Sequence, residues 1–155
     1  MTTLAPGMPA PDFSLVSDTG ETVSLTGCQG RKLVLYFYPK AGTSGCTVEA
    51  HDFNRLKSAF DSAGTTVVGI SPDPAKALAK FRAKEGLTFP LAGDEEHGML
   101  EAYGVWAEKS MYGKKYMGVE RTTVLIDAAG KIAQVWPKVK VAGHAEEVLA
   151  AAKAL

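Results

Sequence analysis

Cys46 is the residue whose type and setting are best suited to chemistry. It follows an apolar run, Leu33 to Tyr38, then Pro39 and a turn of small residues, and apolar residues recur after it at helical spacing. A cysteine at the start of a helix meets unpaired backbone N–H groups and the positive end of the helix macrodipole. That setting stabilises the thiolate, which is the nucleophilic form of cysteine. Cys46 is therefore a candidate nucleophile, and the alternative is a small buried core residue.

The residue three positions before Cys46 narrows the chemistry. Thr43-Ser44-Gly45-Cys46 keeps the spacing of a Cys-x-x-Cys motif but begins with threonine. A hydroxyl cannot form a disulfide, so dithiol exchange within this motif is excluded. It can donate and accept hydrogen bonds beside the sulfur, which suits a small polar substrate such as a peroxide held for attack by the thiolate.

Composition limits the kind of protein. The 155 residues contain 17 Lys plus Arg and 17 Asp plus Glu, and they predict one domain over residues 1–155. A balanced charge argues against nucleic acid as the main partner, and no apolar run reaches the ~20 residues of a membrane span. The N-terminus resembles no secretory signal, and the two cysteines form no secreted disulfide framework. We expect a reduced, cytoplasmic protein with no membrane contact.

The histidines and glycines do not predict a bound cofactor. The three histidines, His51, His97 and His144, have no metal-ligand spacing, so surface or capping roles are expected and no metal or other cofactor is predicted. The glycines before Cys46 lack the Gly-Lys-Ser/Thr ending of a phosphate loop.

The elements around Cys46 predict an α/β protein with a thioredoxin-like fold, in which helices flank a mixed central sheet. An N-terminal β-hairpin, residues 12–25, precedes the strand 33–38, and residues 33–71 form a βαβ unit with parallel strands. Cys46 then lies beyond the carboxyl ends of the strands, where open α/β sheets keep their active sites. The remaining predicted elements are a helix from Cys46 to Ser62, a strand 66–71, helices 75–84 and 95–103, a loop 105–118, strands 121–126 and 132–136, and a C-terminal helix from His144.

The sequence resembles the peroxiredoxins. Pro39, Thr43 and Cys46 match their Pro-x-x-x-Thr-x-x-Cys signature, and the surrounding run is similar to the bacterioferritin-comigratory, or peroxiredoxin Q, subgroup. The similarity extends over nearly the whole chain, including Arg121-Thr122-Thr123 and the segment 143–149.

That resemblance implies a role for each site residue. Cys46 would attack the O–O bond of hydrogen peroxide or an organic hydroperoxide and become a sulfenic acid. Thr43 would hold the peroxide oxygens, and Arg121 would stabilise the thiolate and the developing negative charge. The substrate pocket would be completed by Pro39, which shields the sulfur, by the backbone N–H groups of Gly45 and Cys46, and by Glu49, which either orients Arg121 or only favours the first helical turn.

The chain departs from the subgroup at its second cysteine. Many members have a resolving cysteine five residues after the first, where this chain has His51, and others have it in the next helix, where residues 78–85 contain none. Cys28 lies before the strand and Cys46 after it, so six residues at about 3.3 Å each separate them by roughly 20 Å, against about 7 Å for a disulfide. We therefore predict a one-cysteine mechanism with an external reductant: thioredoxin, glutaredoxin or a small thiol.

Three alternatives stay open from the sequence. The chain is expected to be a monomer or a weak homodimer, and a dimer bridged through Cys28 is one form of the latter. Cys46 could act in a redox-sensing or binding module whose oxidation changes a partner contact. It could also be an inert cysteine on a thioredoxin-like scaffold.

Overall fold

The computed structural model describes residues 4–155 and contains nine strands and five α-helices in that part of the chain. Residues 1–3, the start of the segment expected to carry no secretory signal, lie outside it. The strands are β1 (Ser14–Val16), β2 (Thr22–Ser24), β3 (Lys32–Phe37), β4 (Thr65–Ser71), β5 (Leu91–Gly93), β6 (Trp106–Met111), β7 (Lys114–Val119), β8 (Thr122–Ile126) and β9 (Ile132–Trp136). The helices are α1 (Ser44–Arg55), α2 (Lys57–Ser62), α3 (Ala75–Glu85), α4 (Gly98–Ala102) and α5 (His144–Ala154).

The central sheet has five strands in the order β5-β4-β3-β8-β9. β3 pairs in parallel with β4 and antiparallel with β8, so the sheet is mixed and the expected parallel βαβ unit is confirmed. Phe37, the last residue of β3, pairs with Thr122, the first of β8. This register places the start of β8 beside the end of β3, where the chain leaves the sheet towards α1.

Both faces of β3 are buried, which explains its unbroken apolar run. Val34, Tyr36 and Tyr38 face one core, which helices α1, α2, α3 and α5 cover with residues such as Phe53 and Phe81. Leu33, Leu35 and Phe37 face a second core, which the N-terminal segment and α4 cover. The C-terminal end of β3, which leads to Cys46, is thus packed on both of its faces.

The structure corrects the boundaries of two predicted helices. The long helix expected to run to Ser62 is interrupted at Leu56, whose backbone (φ −93°, ψ 4°) leaves the helical region. Phe53 and Phe60 are buried on either side, so the apolar period carries no sign of this break. The helix expected over 95–103 is only the single turn α4, Gly98–Ala102, preceded by His97 at φ 66°.

The segment 105–118 is a β-hairpin, not a loop. β6 and β7 pair from Trp106 opposite Val119 to Met111 opposite Lys114, with Tyr112 and Gly113 at the turn. Most of their side chains are exposed or half-buried, so the sequence has no apolar alternation to reveal the strands. None of the helices in residues 4–155 is long and apolar enough to cross a bilayer.

Candidate active site

Cys46 is the third residue of α1 and is almost completely buried, with 1% of its surface exposed. Thr43 is the N-cap residue in extended geometry (φ −76°, ψ 157°), and its carbonyl accepts the first helical hydrogen bond from Thr47 N at 2.9 Å. The sulfur therefore lies at the end of α1 where backbone N–H groups have no helical partner.

Arg121 connects Cys46 to Glu49. Its Nη2 donates to Cys46 Sγ at 3.2 Å, and its Nη1 donates to Glu49 Oε1 at 2.6 Å. Arg121 directly precedes β8, and the pairing of Phe37 with Thr122 carries it to α1. The fold thus brings together three of the predicted site residues from positions 46, 49 and 121.

Gly45 makes room for this guanidinium. A Cβ at Gly45 would lie 3.3 Å from Arg121 Nη2, closer than side chains ordinarily pack. Its backbone φ is not in the left-handed region, so space and not backbone freedom favours glycine at this position.

Glu49 is a buried carboxylate with one unused oxygen. Its side chain is 1% exposed, and Oε2 has no hydrogen-bond partner within the described residues. Burial raises the pKa of Glu49 to about 7, and the adjacent Arg121 opposes that rise. Near neutral pH this carboxyl group is therefore partly protonated, and it contacts the same guanidinium that donates a hydrogen bond to the sulfur.

Thr43 and Pro39 lie in the loop 39–43, between β3 and α1. The Thr43 hydroxyl donates to Lys40 O at 2.9 Å, and the residue is exposed, whereas Pro39 is half-buried. Because its proton is engaged, the Thr43 oxygen is left as an acceptor only. This limits the general donor-and-acceptor role expected from the sequence.

Asp73 holds this loop and was missed by the sequence reasoning. Its Oδ2 accepts hydrogen bonds from Ala41 N at 2.8 Å and from Ser71 Oγ at 2.7 Å. The carboxylate therefore ties the loop before Cys46 to the end of β4. Its position between Pro72 and Pro74 marked a helix start, but nothing in the sequence indicated a contact across 32 positions.

Lys109 is a second cation near the sulfur, also missed because its strand was expected to be a loop. Burial lowers the pKa of Lys109, Arg121 lowers it further, and Glu120 and Cys46 act in the opposite direction. Its stem crosses Gly118, where a Cβ would lie 3.3 Å from Lys109 Cδ. The hairpin thus carries a half-buried lysine towards Arg121.

Cys28 and His144 form no side-chain hydrogen bond or ion pair with Cys46, Arg121 or Glu49. Cys28 is half-buried at the end of a short 3-10 helix, Thr26–Cys28, and burial raises the pKa of its thiol. His144, expected at the surface or in a cap, is instead 5% exposed, and its Nε2 lies 2.8 Å from Thr123 Oγ1. Within residues 4–155 no group of three or more His, Cys, Asp or Glu residues is placed to hold a metal ion.

Sequence comparisons place the chain beside known proteins over almost all its length. The model of the AhpC/TSA family matches residues 6–135. A putative peroxiredoxin bcp of Coxiella burnetii is 50% identical over 143 residues, covering 92% of this chain and 95% of the relative. Peroxiredoxin Bcp of Bacillus subtilis is 46% identical over 147 residues, covering 95% and 94%.

Solved structures agree with the fold. The Xanthomonas campestris bacterioferritin comigratory protein, studied for alkyl peroxide reduction, superimposes with a TM-score of 0.90 at 44% identity, covering 97% of this chain and 98% of that one. A mutant of Xylella fastidiosa PrxQ gives a TM-score of 0.93 at 37% identity, covering 99% and 98%. The thioredoxin-like fold expected from the sequence is confirmed.

Proposed function

Because this chain belongs to the AhpC/TSA family, among its Bcp or PrxQ peroxiredoxins, we propose that it reduces hydroperoxides through a sulfenic acid on Cys46. The observation that best supports this assignment is the Arg121 guanidinium 3.2 Å from Cys46 Sγ, at the N-terminus of α1. A fixed cation and unpaired N–H groups favour both the thiolate and the negative charge that develops on oxygen.

In the proposed reaction, the Cys46 thiolate attacks the terminal oxygen of R–O–OH. The S–O bond forms as the O–O bond breaks, so sulfur is oxidised to sulfenic acid and the leaving RO⁻ takes a proton to become an alcohol or water. Arg121 stabilises the negative charge throughout. Thr43 accepts a hydrogen bond from the peroxide O–H, since its own proton is donated to Lys40 O. Pro39, Gly45 and Glu49 shape the pocket and position Arg121.

We further propose that an external thiol returns the sulfenic acid to the thiol. Cys28 precedes β3 and Cys46 follows it, so the strand Lys32–Phe37 separates the two sulfurs along its length. A strand of six residues at about 3.3 Å each is roughly 20 Å long, whereas a disulfide needs Cα atoms within about 7 Å of each other. A thioredoxin, a glutaredoxin or a small thiol would serve as reductant, with the chain as a monomer or weak homodimer.

Mass spectrometry with a sulfenic-acid trap tests this assignment. After peroxide treatment we expect the trap on Cys46 in the wild type and in Cys28→Ser, and no trapped species in Cys46→Ser. A monomeric Cys28–Cys46 disulfide in non-reducing peptide maps would refute the one-cysteine cycle.

Turnover separates an enzyme from a sensor. Peroxide consumption is followed with thioredoxin, glutaredoxin and small thiols in excess over the protein. We expect many turnovers with at least one donor. A single stoichiometric oxidation with every donor would instead indicate a peroxide-sensing module.

A further inference from the structure

A groove of about 240 Å³ opens between the loop that leads to Cys46 and helix α3. Six residues line it, two from the loop and four from α3: Ala41, Gly42, Ala77, Lys80, Phe81 and Lys84. Ala41 donates its N–H to Asp73, so the wall formed by the loop is fixed. The groove therefore borders the segment that carries the nucleophile without including any residue of the Cys46–Arg121–Glu49 cluster.

The floor of the groove is apolar. Ala77 and Phe81 lie one helical turn apart on α3 and face the loop. Phe81 packs on Tyr38, with ring centroids 6.4 Å apart, and both belong to the same core cluster as Cys46. The floor of the groove is thus continuous with the packing around the sulfur.

The rim of the groove carries two positive charges. Lys80 and Lys84 are also one turn apart, and neither has a carboxylate within 4.0 Å among residues 4–155. The nearest acid along the helix, Glu85, is engaged with His51 at 2.8 Å. Like charges at this spacing repel each other unless an anion lies between them.

We propose that this groove binds the reductant, a small thiol that carries a carboxylate. The proposal rests on the one-cysteine cycle above, because α3 contains no cysteine and an outside thiol must reach the sulfur. The apolar floor accepts the carbon chain, the lysines pair with the carboxylate, and a recess of about 240 Å³ is smaller than pockets for drug-sized ligands.

The chemistry takes two thiols for each peroxide. The first thiol attacks the sulfenic sulfur, forms a mixed disulfide with Cys46 and releases the hydroxyl group as water. A second thiol attacks the bound thiol's sulfur, leaves as a free disulfide and returns Cys46 to the thiolate. The peroxide supplies the oxidising equivalents and the two thiols supply the two electrons.

Reduction of pre-formed sulfenic acid by a matched pair of thiols tests the groove. 3-Mercaptopropionate is compared with its methyl ester on the wild type and on Lys80→Gln/Lys84→Gln, each rate normalised to the sulfenic acid present. In the variant we expect 3-mercaptopropionate to reduce the sulfenic acid roughly fivefold more slowly and its methyl ester to reduce it at the wild-type rate. The difference should shrink as salt is raised, because both lysines are exposed.

Two further variants control for charge and for shape. Lys76→Gln/Lys114→Gln removes the same charge from exposed positions outside the groove and should leave the rates with both thiols as in the wild type. Ala77→Leu fills the groove and should slow reduction by 3-mercaptopropionate at least as much as the lysine substitutions do. Equal losses for acid and ester in the lysine variant, or an equal loss in the control, would overturn the proposal.

The two proposals fail in different steps. If no sulfenic acid forms on Cys46, the peroxidase assignment fails before any reductant is added. If it forms and its reduction is indifferent to the charge of the thiol, only the groove assignment fails.

Discussion

At Gly45, adding one methyl group should affect the rate of Cys46 oxidation without lowering the stability of the fold. Gly45→Ala should leave stability unchanged or raise it by up to ~1 kcal/mol, because alanine favours the helix. It should slow the reaction of Cys46 with hydrogen peroxide about tenfold, since the new Cβ would stand 3.3 Å from Arg121 Nη2. Urea unfolding and competition kinetics measure the two effects.

Gly98→Ala is the matched control for that substitution. Gly98 begins α4, and a Cβ there would meet nothing within 4 Å. We expect no change in the rate with peroxide. A normal rate in Gly45→Ala as well would mean that Arg121 tolerates displacement.

Glu49 should make stability depend on pH in an unusual direction. Its folded pKa of about 7 lies above the ordinary value of 4.5, so the folded state binds the proton more tightly. Between those values the unfolding free energy should fall as pH rises, by up to about 3 kcal/mol in total. Glu49→Gln should remove this fall, as urea unfolding at about pH 5 and about pH 8 would show.

The effect of Glu49 is measured as the difference between wild type and Glu49→Gln, because His144 changes the unfolding free energy with pH in the opposite direction. Burial lowers the pKa of His144, so its contribution to stability increases as pH rises towards its ordinary value of 6.5. Glu95→Gln, at an exposed position, is the control and should follow the wild type. Parallel curves for wild type and Glu49→Gln would contradict the prediction.

At this scale the sequence was informative where a motif is local. Thr43 and Cys46 lie within one turn of chain, and Arg121 followed from resemblance. Asp73 and Lys109 could not be found this way, because their proximity to the site depends on how β4 and β6 are placed in the fold.

The Asp73 side chain holds the loop 39–43 in position. Asp73→Ala leaves Ala41 N–H and the Ser71 hydroxyl without their acceptor. We expect a loss of ~1–3 kcal/mol in stability and, because the loop sets the start of α1, a fall in the rate of sulfenic acid formation. Thermal unfolding and competition kinetics with hydrogen peroxide measure the two effects.

Asp127→Ala tests whether the lost rate is only a consequence of lost stability. Asp127 Oδ1 accepts from Ala129 N at 2.9 Å and from Lys131 N at 3.0 Å, in the turn between β8 and β9. It should lose comparable stability and keep the wild-type rate. If both variants lost rate equally, the special role of Asp73 would be excluded.

The central strands of the main sheet could be predicted because they are deeply buried. β3, β4 and β8 were identified from their apolar runs, and each is buried over most of its length. The hairpin β6–β7 was missed because backbone pairing holds it while Met111, Tyr112 and Met117 remain exposed. Its pattern is not that of a strand with one face in a core.

For the whole molecule we predict one folding unit over residues 1–155. Two core clusters pack on opposite faces of β3, so unfolding of this strand would disrupt both clusters at once. Chemical unfolding should therefore follow one cooperative transition, with fluorescence and circular dichroism coincident. Amides of β3 and β8 should exchange slowest, and those of β6 and β7 earlier. Two separated transitions would contradict a single unit.

The N-terminal segment has a consequence for colloidal behaviour. It bridges Lys131 through Pro9, beside β9, and Ala92 through Ser17, within β5, and these two strands are the edges of the central sheet. Open edges template intermolecular pairing, and a chain of zero formal net charge has little repulsion to keep its copies apart. The same stretch of backbone therefore meets both edge strands, at β5 and at the start of β9, and takes up part of the backbone that another copy could pair with.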